Sequence, residues 1–421
     1  MIRSRAGIVA RSLRRHALST AVTITSAALA SGLVMAVYSI SAQSTEAFAG
    51  GKMGYDAVLG ARGSQLQLVL NTVYHLETSP GNIPWSLYRE IATDKRVSLA
   101  IPYALGDNYR GTRIVGTTLE AFTDFEYQEG KHYTVEPPGQ FFDPARREAV
   151  IGALAAKELG FAVGDEFSPY HGLTFDESTT VQHREVYRVI GVLRPTGTPA
   201  DRVIWIPIEG IFRMEGHKLR GVDGVEYVAE AGTAIPDEHK EVSAVMLKLS
   251  GPRSGFSLQN QINRQGKVAT LAWPIATVMA DFVRKMGWMN RVLELVAALV
   301  VVVAAGSLLA ALYNTMNERR MEFAVLRALG ARRRTVFGVI VAEATTIAVL
   351  GALLGYVVYF AILSVAAAIV RSRTGVVIDV FLPHAALQWT PVVMAGVGAL
   401  AGVLPAIKAY GTDVAGHLAR G

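Results

Sequence analysis

The chain has 421 residues, of which 51% are hydrophobic and only 18% charged, with a mean hydropathy of +0.30. Ordinary soluble domains carry about 25% charged residues, so these figures exclude a disordered or highly solvated chain and argue against a wholly soluble one. The sequence has no cysteine, which excludes disulfides, thiolate metal sites and a cysteine nucleophile.

The first 16 residues carry Arg3, Arg5, Arg11, Arg14 and Arg15 and no acid. With Ile2, Ile8, Val9 and Leu13 among them, they read as an amphipathic helix on the cytoplasmic surface or as a plain topogenic tail. Residues 17–40 are uncharged. A bilayer core needs about 20 apolar residues of helix, so this is a first span. Its 24 residues exceed the 7–15 of a signal-peptide core, and Ser41-Ala42-Gln43 is a poor cleavage site.

The segment that follows is polar and reads as mixed α/β. Strand-like runs fall at 56–59, 98–104, 113–117, 148–152, 185–193, 203–207 and 242–249. Helix-like runs fall at 85–93, 154–159 and 256–263, with Gly and Pro clusters between them. Ile275, Val278, Met279, Phe282, Val283 and Met286 then recur at helical spacing. They predict, with a separate surface helix as the alternative, a stalk that starts near Pro274 and runs into a second span. Its Ile275, Met279, Phe282 and Met286 stripe is expected to pack on the outward extension of the first span or on a partner protomer.

Residues 295–317 and 381–407 are uncharged, and 335–370 contain a single charge, Glu343. These are the second, fourth and third spans. Between residues 41 and 291 lie 26 of the 41 Lys and Arg and 29 of the 35 Asp and Glu. The remainder therefore holds 15 bases against 6 acids. The basic surplus behind the pI of 9.4 sits beside the spans, as positive-inside bias requires, and is no nucleic-acid signal. The loop after the second span carries Arg319, Arg320, Arg327, Arg332, Arg333 and Arg334 against Glu318 and Glu322. Both termini are thus expected in the cytoplasm.

The organisation predicted is a cytoplasmic segment 1–16, a first span 17–42, an extracytoplasmic α/β domain 43–273, and a stalk with second span 274–317. A cytoplasmic coupling segment 318–334, a third span 335–370, an external loop 371–380, a fourth span 381–407 and a cytoplasmic end 408–421 complete it. The fold class is an α-helical membrane protein with four transmembrane helices and an extracytoplasmic mixed α/β domain between the first and second.

No phosphate-binding Gly-x-x-x-x-Gly-Lys-Ser/Thr loop, nucleophile elbow or His-Glu-x-x-His helix occurs, so no catalytic residue is expected. His171 and His183, with Asp176 and Glu177 between them, carry metal-ligand atoms, but their spacing fits no metal motif. They are expected as solvated loop residues, and no metal site is expected. Glu343 is a costly residue in a span, and Arg332, Arg333 and Arg334 lie near enough to pair with it. A direct part in conformational coupling is the alternative.

Residues 314–334, NTMNERRMEFAVLRALGARRR, resemble the cytoplasmic signature of MacB/FtsX/LolC-type (type VII) ABC permeases. Glu318, Arg319, Glu322, Leu326, Arg327, Ala328, Gly330 and Ala331 match that pattern, and Glu343 matches a later Glu. Residues 402–406, GVLPA, resemble the family's ending, although Asp413-Val414-Ala415 departs from its usual Pro-containing step. Residues 10–15, ARSLRR, resemble its opening. Residues 156–165, AKELGFAVGD, and 187–193, YRVIGVL, resemble runs of its extracytoplasmic domain.

The resemblance implies a permease subunit whose ATP and Mg are bound by a separate cytoplasmic ABC ATPase dimer, with no cofactor on this chain itself. It implies a second permease copy, as homodimer or heterodimer, and a periplasmic adaptor or lipoprotein as a further partner. It places the chain in a bacterial inner membrane, in contact with lipid. ATP-driven motion would pass through the stalk to the periplasmic domain (mechanotransmission), for export or extraction of an envelope substrate. An envelope regulator of a cell-wall hydrolase, or an ATP-independent receptor, are the alternatives. The coupling helix would use Glu318, Arg319, Glu322, Phe323, Leu326, Arg327 and Gly330 to dock the ATPase. Its acidic start and basic end suit a helix dipole.

Overall fold

A computed structural model describes residues 2–49, 54–217, 219–221, 227–230, 232–318 and 330–410. The chain divides into two units. One comprises residues 1–44, 286–368 and 379–421; the other comprises residues 45–285 and 369–378.

The first unit is helical. It contains α1 (Ile2–Arg15) and most of α2 (Ala17–Ala49), which is seven residues longer than the span predicted. In the α/β unit, alternation decides the strands. The chain runs through β1 (Ala57–Ala61), α3 (Gln65–Thr72), β2 (Ile83–Pro84), α4 (Trp85–Ala92), β3 (Val97–Tyr109) and β4 (Thr112–Thr117). It continues through α5 (Glu120–Thr123), β5 (Glu126–Gln128), β6 (Lys131–His132), β7 (Glu148–Ile151), α6 (Ala153–Leu159), β8 (Glu166–Phe167) and β9 (Tyr170–His171). Next come β10 (Tyr187–Val192), β11 (Ile204–Pro207), α7 (Ile208–Phe212), β12 (Glu241–Val242), β13 (Ala244–Leu249), α8 (Pro252–Gln259), β14 (Ala269–Ala272) and α9 (Ile275–Lys285).

One mixed sheet runs β14-β1-β13-β3-β4-β11-β7-β10-β8, with β9 pairing β3 from outside that path. The pairs β4–β11 and β7–β10 are parallel and the other neighbours antiparallel. Both faces are covered. Along β1, Ala57, Leu59 and Ala61 face one core while Val58 faces the other; along β11, Ile204 and Ile206 oppose Trp205 in the same way. This period of two is what a strand buried on both faces produces. The first core is closed by Trp85 and Ile91 of α4, Ala155 of α6, Phe212 of α7 and Leu258 of α8. The second is closed by Leu68 and Val69 of α3, Phe122 of α5, and Ile275 and Met279 of α9. Trp205 is its anchor, edge-on to Tyr103 at 5.6 Å and to Phe122 at 5.8 Å, an arrangement favoured by the ring quadrupoles.

The motif AKELGFAVGD resolves into α6 and its exit. Gly160 ends the helix at φ 72°, the left-handed conformation that glycine adopts without a Cβ penalty.

Residues 369–378, which overlap the expected external loop 371–380, belong to the α/β unit. Val376 and Ile378 are buried, and Val376 joins the Trp205 core. Asp201 shapes the surface they meet, accepting from the backbone N–H groups of Thr196 and Gly197.

The helical unit is completed by α10 (Gly287–Glu318), α11 (Arg333–Thr374) and α12 (Ala385–Tyr410). The stalk and second span are therefore two helices, α9 and α10, separated at Met286. The four apolar segments Ala17–Phe48, Gly287–Met316, Arg333–Thr374 and Ala385–Lys408 are each long enough to cross a bilayer. Outward residues of α10, including Leu299, Val302 and Val303, are exposed and apolar, as a lipid-facing surface must be. Small residues set the helix contacts. A Cβ on Gly351 or Gly355 of α11 would strike Ala27 or Ser31 of α2; one on Gly398 or Gly402 of α12 would strike Ala348 or Ala344 of α11. Both pairs are spaced Gly-x-x-x-Gly, the pattern that lets backbones approach in a membrane.

Candidate coupling elements

The described part of the second span reaches Glu318, and Gly330 lies at φ 92°, a conformation suited to ending a helix. Arg319, Glu322, Phe323, Leu326 and Arg327, all expected to dock the ATPase, lie outside the described residues.

Glu343 lies on α11, where it is buried. The Ser12 hydroxyl of α1, 331 residues away, donates to its Oε1. No local sequence pattern around Glu343 indicates this hydroxyl from α1. A buried carboxylate requires hydrogen-bonded partners, and Ser12 is one.

Ile275 and Met279 are 4% and 1% exposed. With half-buried Val278 and Phe282 they line the Trp205 core, and α9 lies against α3. Ala47 and Phe48, from the end of α2, border the same core; Phe48 packs on Tyr74 at 5.3 Å and its carbonyl accepts from the Tyr74 hydroxyl. The stripe predicted for the stalk is thus a core-facing surface of the α/β unit over Ile275–Phe282. Met286 lies between α9 and α10, half-buried.

His183 is buried, not a solvated loop residue. It and His171 meet Asp107 and His217, which sequence reading did not associate with them. Asp176 and Glu177 are exposed and stand outside this group; Asp176 instead accepts from the Ser178 N–H and hydroxyl. Burial pushes the Asp107 carboxyl up, but hydrogen bonding to His183 and His217 outweighs it and holds the group below the usual carboxylate range. Burial lowers His217, and the Asp107 contact more than reverses that. The available sequence signal was the pair of polar residues Asp107 and Asn108 inside an otherwise apolar strand, both wholly buried.

Two family models agree with this architecture. The family model for the MacB-like periplasmic core domain matches residues 20–264, and that for the FtsX-like permease C-terminal matches residues 294–414. The Macrolide export ATP-binding/permease protein MacB of Bdellovibrio bacteriovorus is 25% identical over 232 residues, covering 52% of this chain and 32% of that protein. The chain thus spans about a third of the length of that curated relative. Among solved structures, the extracellular domain of the ABC-type transporter YknZ from Gram-positive bacteria aligns at 15% identity and a TM-score of 0.28, covering 51% of this chain and 97% of that one. The periplasmic region of MacB from Actinobacillus actinomycetemcomitans aligns at 11% identity and a TM-score of 0.32, covering 56% and 94%.

Among the described residues, four apolar helices and an α/β sheet domain between the first and the later spans define a multi-pass membrane permease of the ABC class. The chain belongs to the MacB/FtsX family of type VII ABC permeases.

Proposed function

We propose that this permease transmits ATP-driven motion from a separate cytoplasmic ATPase dimer to its α/β domain in the periplasm, acting as one of two permease copies in a bacterial inner membrane. The observation that supports this most is the seating of α9. Ile275 and Met279 belong to the core of the α/β unit, and one residue, Met286, separates α9 from the second span. A displacement of the second span has a short covalent path into that core, and a close-packed core passes on strain instead of absorbing it.

The described part of the same span reaches Glu318, the first residue of the expected coupling segment 318–334. By the likeness of residues 314–334 to the permease signature, we assign ATP and Mg to an ABC ATPase docked on that segment. The apolar stretches of the spans contain one charged side chain, Glu343, which favours moving an envelope substrate outside the membrane over conducting it through a pore. A periplasmic adaptor or lipoprotein would receive that substrate.

Affinity purification of the full-length chain from its own membranes, followed by an ATP hydrolysis assay, tests this reading. An ABC ATPase recovered in equal amount, with activity that depends on the permease, is expected. A permease that purifies from native membranes without any ATPase would favour the receptor alternative.

A further inference from the structure

Three imidazoles and one carboxylate converge on a single point of the α/β unit. Asp107 comes from β3, His171 from β9, His183 from the segment before β10, and His217 from the loop after α7. The backbone brings them there. β9 pairs with β3 so that His171 is the register partner of Asp107. The His171 N–H donates to the Val181 carbonyl and the His183 N–H to the Pro169 carbonyl, so the two histidines sit on paired segments. The three rings are mutually 5.2–5.3 Å apart between centroids, at interplanar angles of 65–82°. They surround one oxygen: Asp107 Oδ1 lies 3.0 Å from His217 Nε2, 3.1 Å from His183 Nε2 and 3.6 Å from His171 Nδ1.

We propose that Asp107, His171, His183 and His217 form a binding site for one divalent transition-metal ion, zinc in the native protein. Zinc takes His nitrogen and Asp oxygen at about 2.0–2.1 Å in a tetrahedron, which sets neighbouring ligand atoms about 3.3 Å apart. The three distances around Asp107 Oδ1 bracket that value, and all four ligand atoms lie within 4.8 Å of one another. His171 is exposed, so its ring can close the remaining gap without disturbing the core.

Hydrogen bonding points the same way. His217 Nδ1 lies 2.8 Å from the Ile211 carbonyl oxygen, to which it can only donate. The other nitrogen of a neutral ring then turns a lone pair toward Asp107 Oδ1. At 3.0 Å that nitrogen and the carboxylate oxygen are joined either by a proton on a charged ring or by a shared metal ion, and an outward hydrogen bond to a carbonyl is the support that metal-bound imidazoles carry. Asp107 Oδ2 is buried and finds no hydrogen-bond partner among the described residues. Neutral imidazoles with a hard carboxylate, and no sulfur, suit zinc more than copper(I) or calcium. A cavity of about 380 Å³ bounded by Gly106, His171, His217 and Arg220 gives the ion a path from solvent. The bound ion would staple the paired 169–183 segments and the loop after α7 onto β3.

The test uses the full-length protein in detergent, purified without a polyhistidine tag. Elemental analysis should find close to one zinc per chain. After chelator treatment, Co²⁺ should restore one equivalent with the intense visible absorption of a tetrahedral site, displaced by Zn²⁺. His183→Ala with His217→Ala should abolish both signals, while His132→Ala, an exposed histidine outside the cluster, should leave them intact. Wild-type protein that gives neither zinc nor the Co²⁺ spectrum overturns the proposal without reliance on any variant. So does binding that is undiminished in the double variant, which would mark the ion as adventitious.

Discussion

Gly375 packs directly on the backbone of Thr198, so closely that a Cβ on the glycine would stand 2.8 Å from the Thr198 carbonyl oxygen. Thr198 belongs to the domain between the first and second spans, whereas Gly375 belongs to the connection between the third and fourth. Since Val376 is buried in the domain core, that connection and the domain occupy the same side of the membrane. Two independent parts of the chain thus require the same topology.

Cysteine accessibility tests this directly, since the chain has no native cysteine. Ser372 is exposed, and Ser372→Cys should react in intact cells with a membrane-impermeant thiol reagent that reaches the periplasm. Arg333→Cys should react only after lysis. The reverse pattern would reject four spans with both ends inside.

Close helix contacts give a stability prediction. A Cβ at Gly355 would lie 2.1 Å from Ser31 Oγ, whereas one at Gly306 meets nothing within 4 Å. Gly355→Leu should destabilise the helical unit by about 1–3 kcal/mol, the usual cost of overpacking. Gly306→Leu should be close to neutral. Thermal unfolding of the two variants in one detergent compares them; equal midpoints would mean that α2 and α11 do not meet there.

The four spans were legible because a helix in lipid must be apolar throughout, and runs such as 295–317 announce it in composition alone. Strands such as β11 were legible because Ile204, Trp205 and Ile206 are apolar on both faces. Helix α3 was not: Leu66, Leu68 and Leu70 alternate like a strand while Val69 completes a helical face, and tertiary packing decides between them. The break at Met286 was hidden because apolar spacing continues through it. The histidine cluster was beyond reach of a spacing rule, because Asp107 and His217 are 110 positions apart and only the sheet brings them together.

The burial of α9 changes how its variants should behave. Met279 is 1% exposed, so Met279→Asp places an unpaired charge in a core and should unfold the α/β unit, at a cost of several kcal/mol. Phe282 is only half-buried at the edge of that core. Phe282→Asp should leave the protein folded but loosen the stalk, giving normal ATPase assembly with impaired external function. Circular dichroism and proteolysis separate the two cases. Equal folding of both variants would remove α9 from the core.

Docking of the ATPase is expected to rest on Phe323 and Leu326. Truncating a central apolar anchor typically costs about 2 kcal/mol or more, roughly a thirtyfold loss of affinity. Phe323→Ala with Leu326→Ala should therefore sharply reduce ATPase recovery with the tagged permease. Arg332→Ala should do much less, because an exposed charge at an interface rim contributes little. Undiminished recovery with the double variant would move the docking site elsewhere.

Motion of the stalk on ATP binding can be measured in the assembled complex. Arg284 is an exposed residue of α9, and Arg284→Cys offers one spin label per permease in a chain free of other cysteines. Pulsed electron paramagnetic resonance should show one inter-label distance distribution without nucleotide and a shifted one with ATP trapped on the ATPase. The shift should vanish when Phe323→Ala and Leu326→Ala are added. An identical distribution with and without ATP, in a complex that hydrolyses ATP normally, would contradict mechanotransmission through this helix.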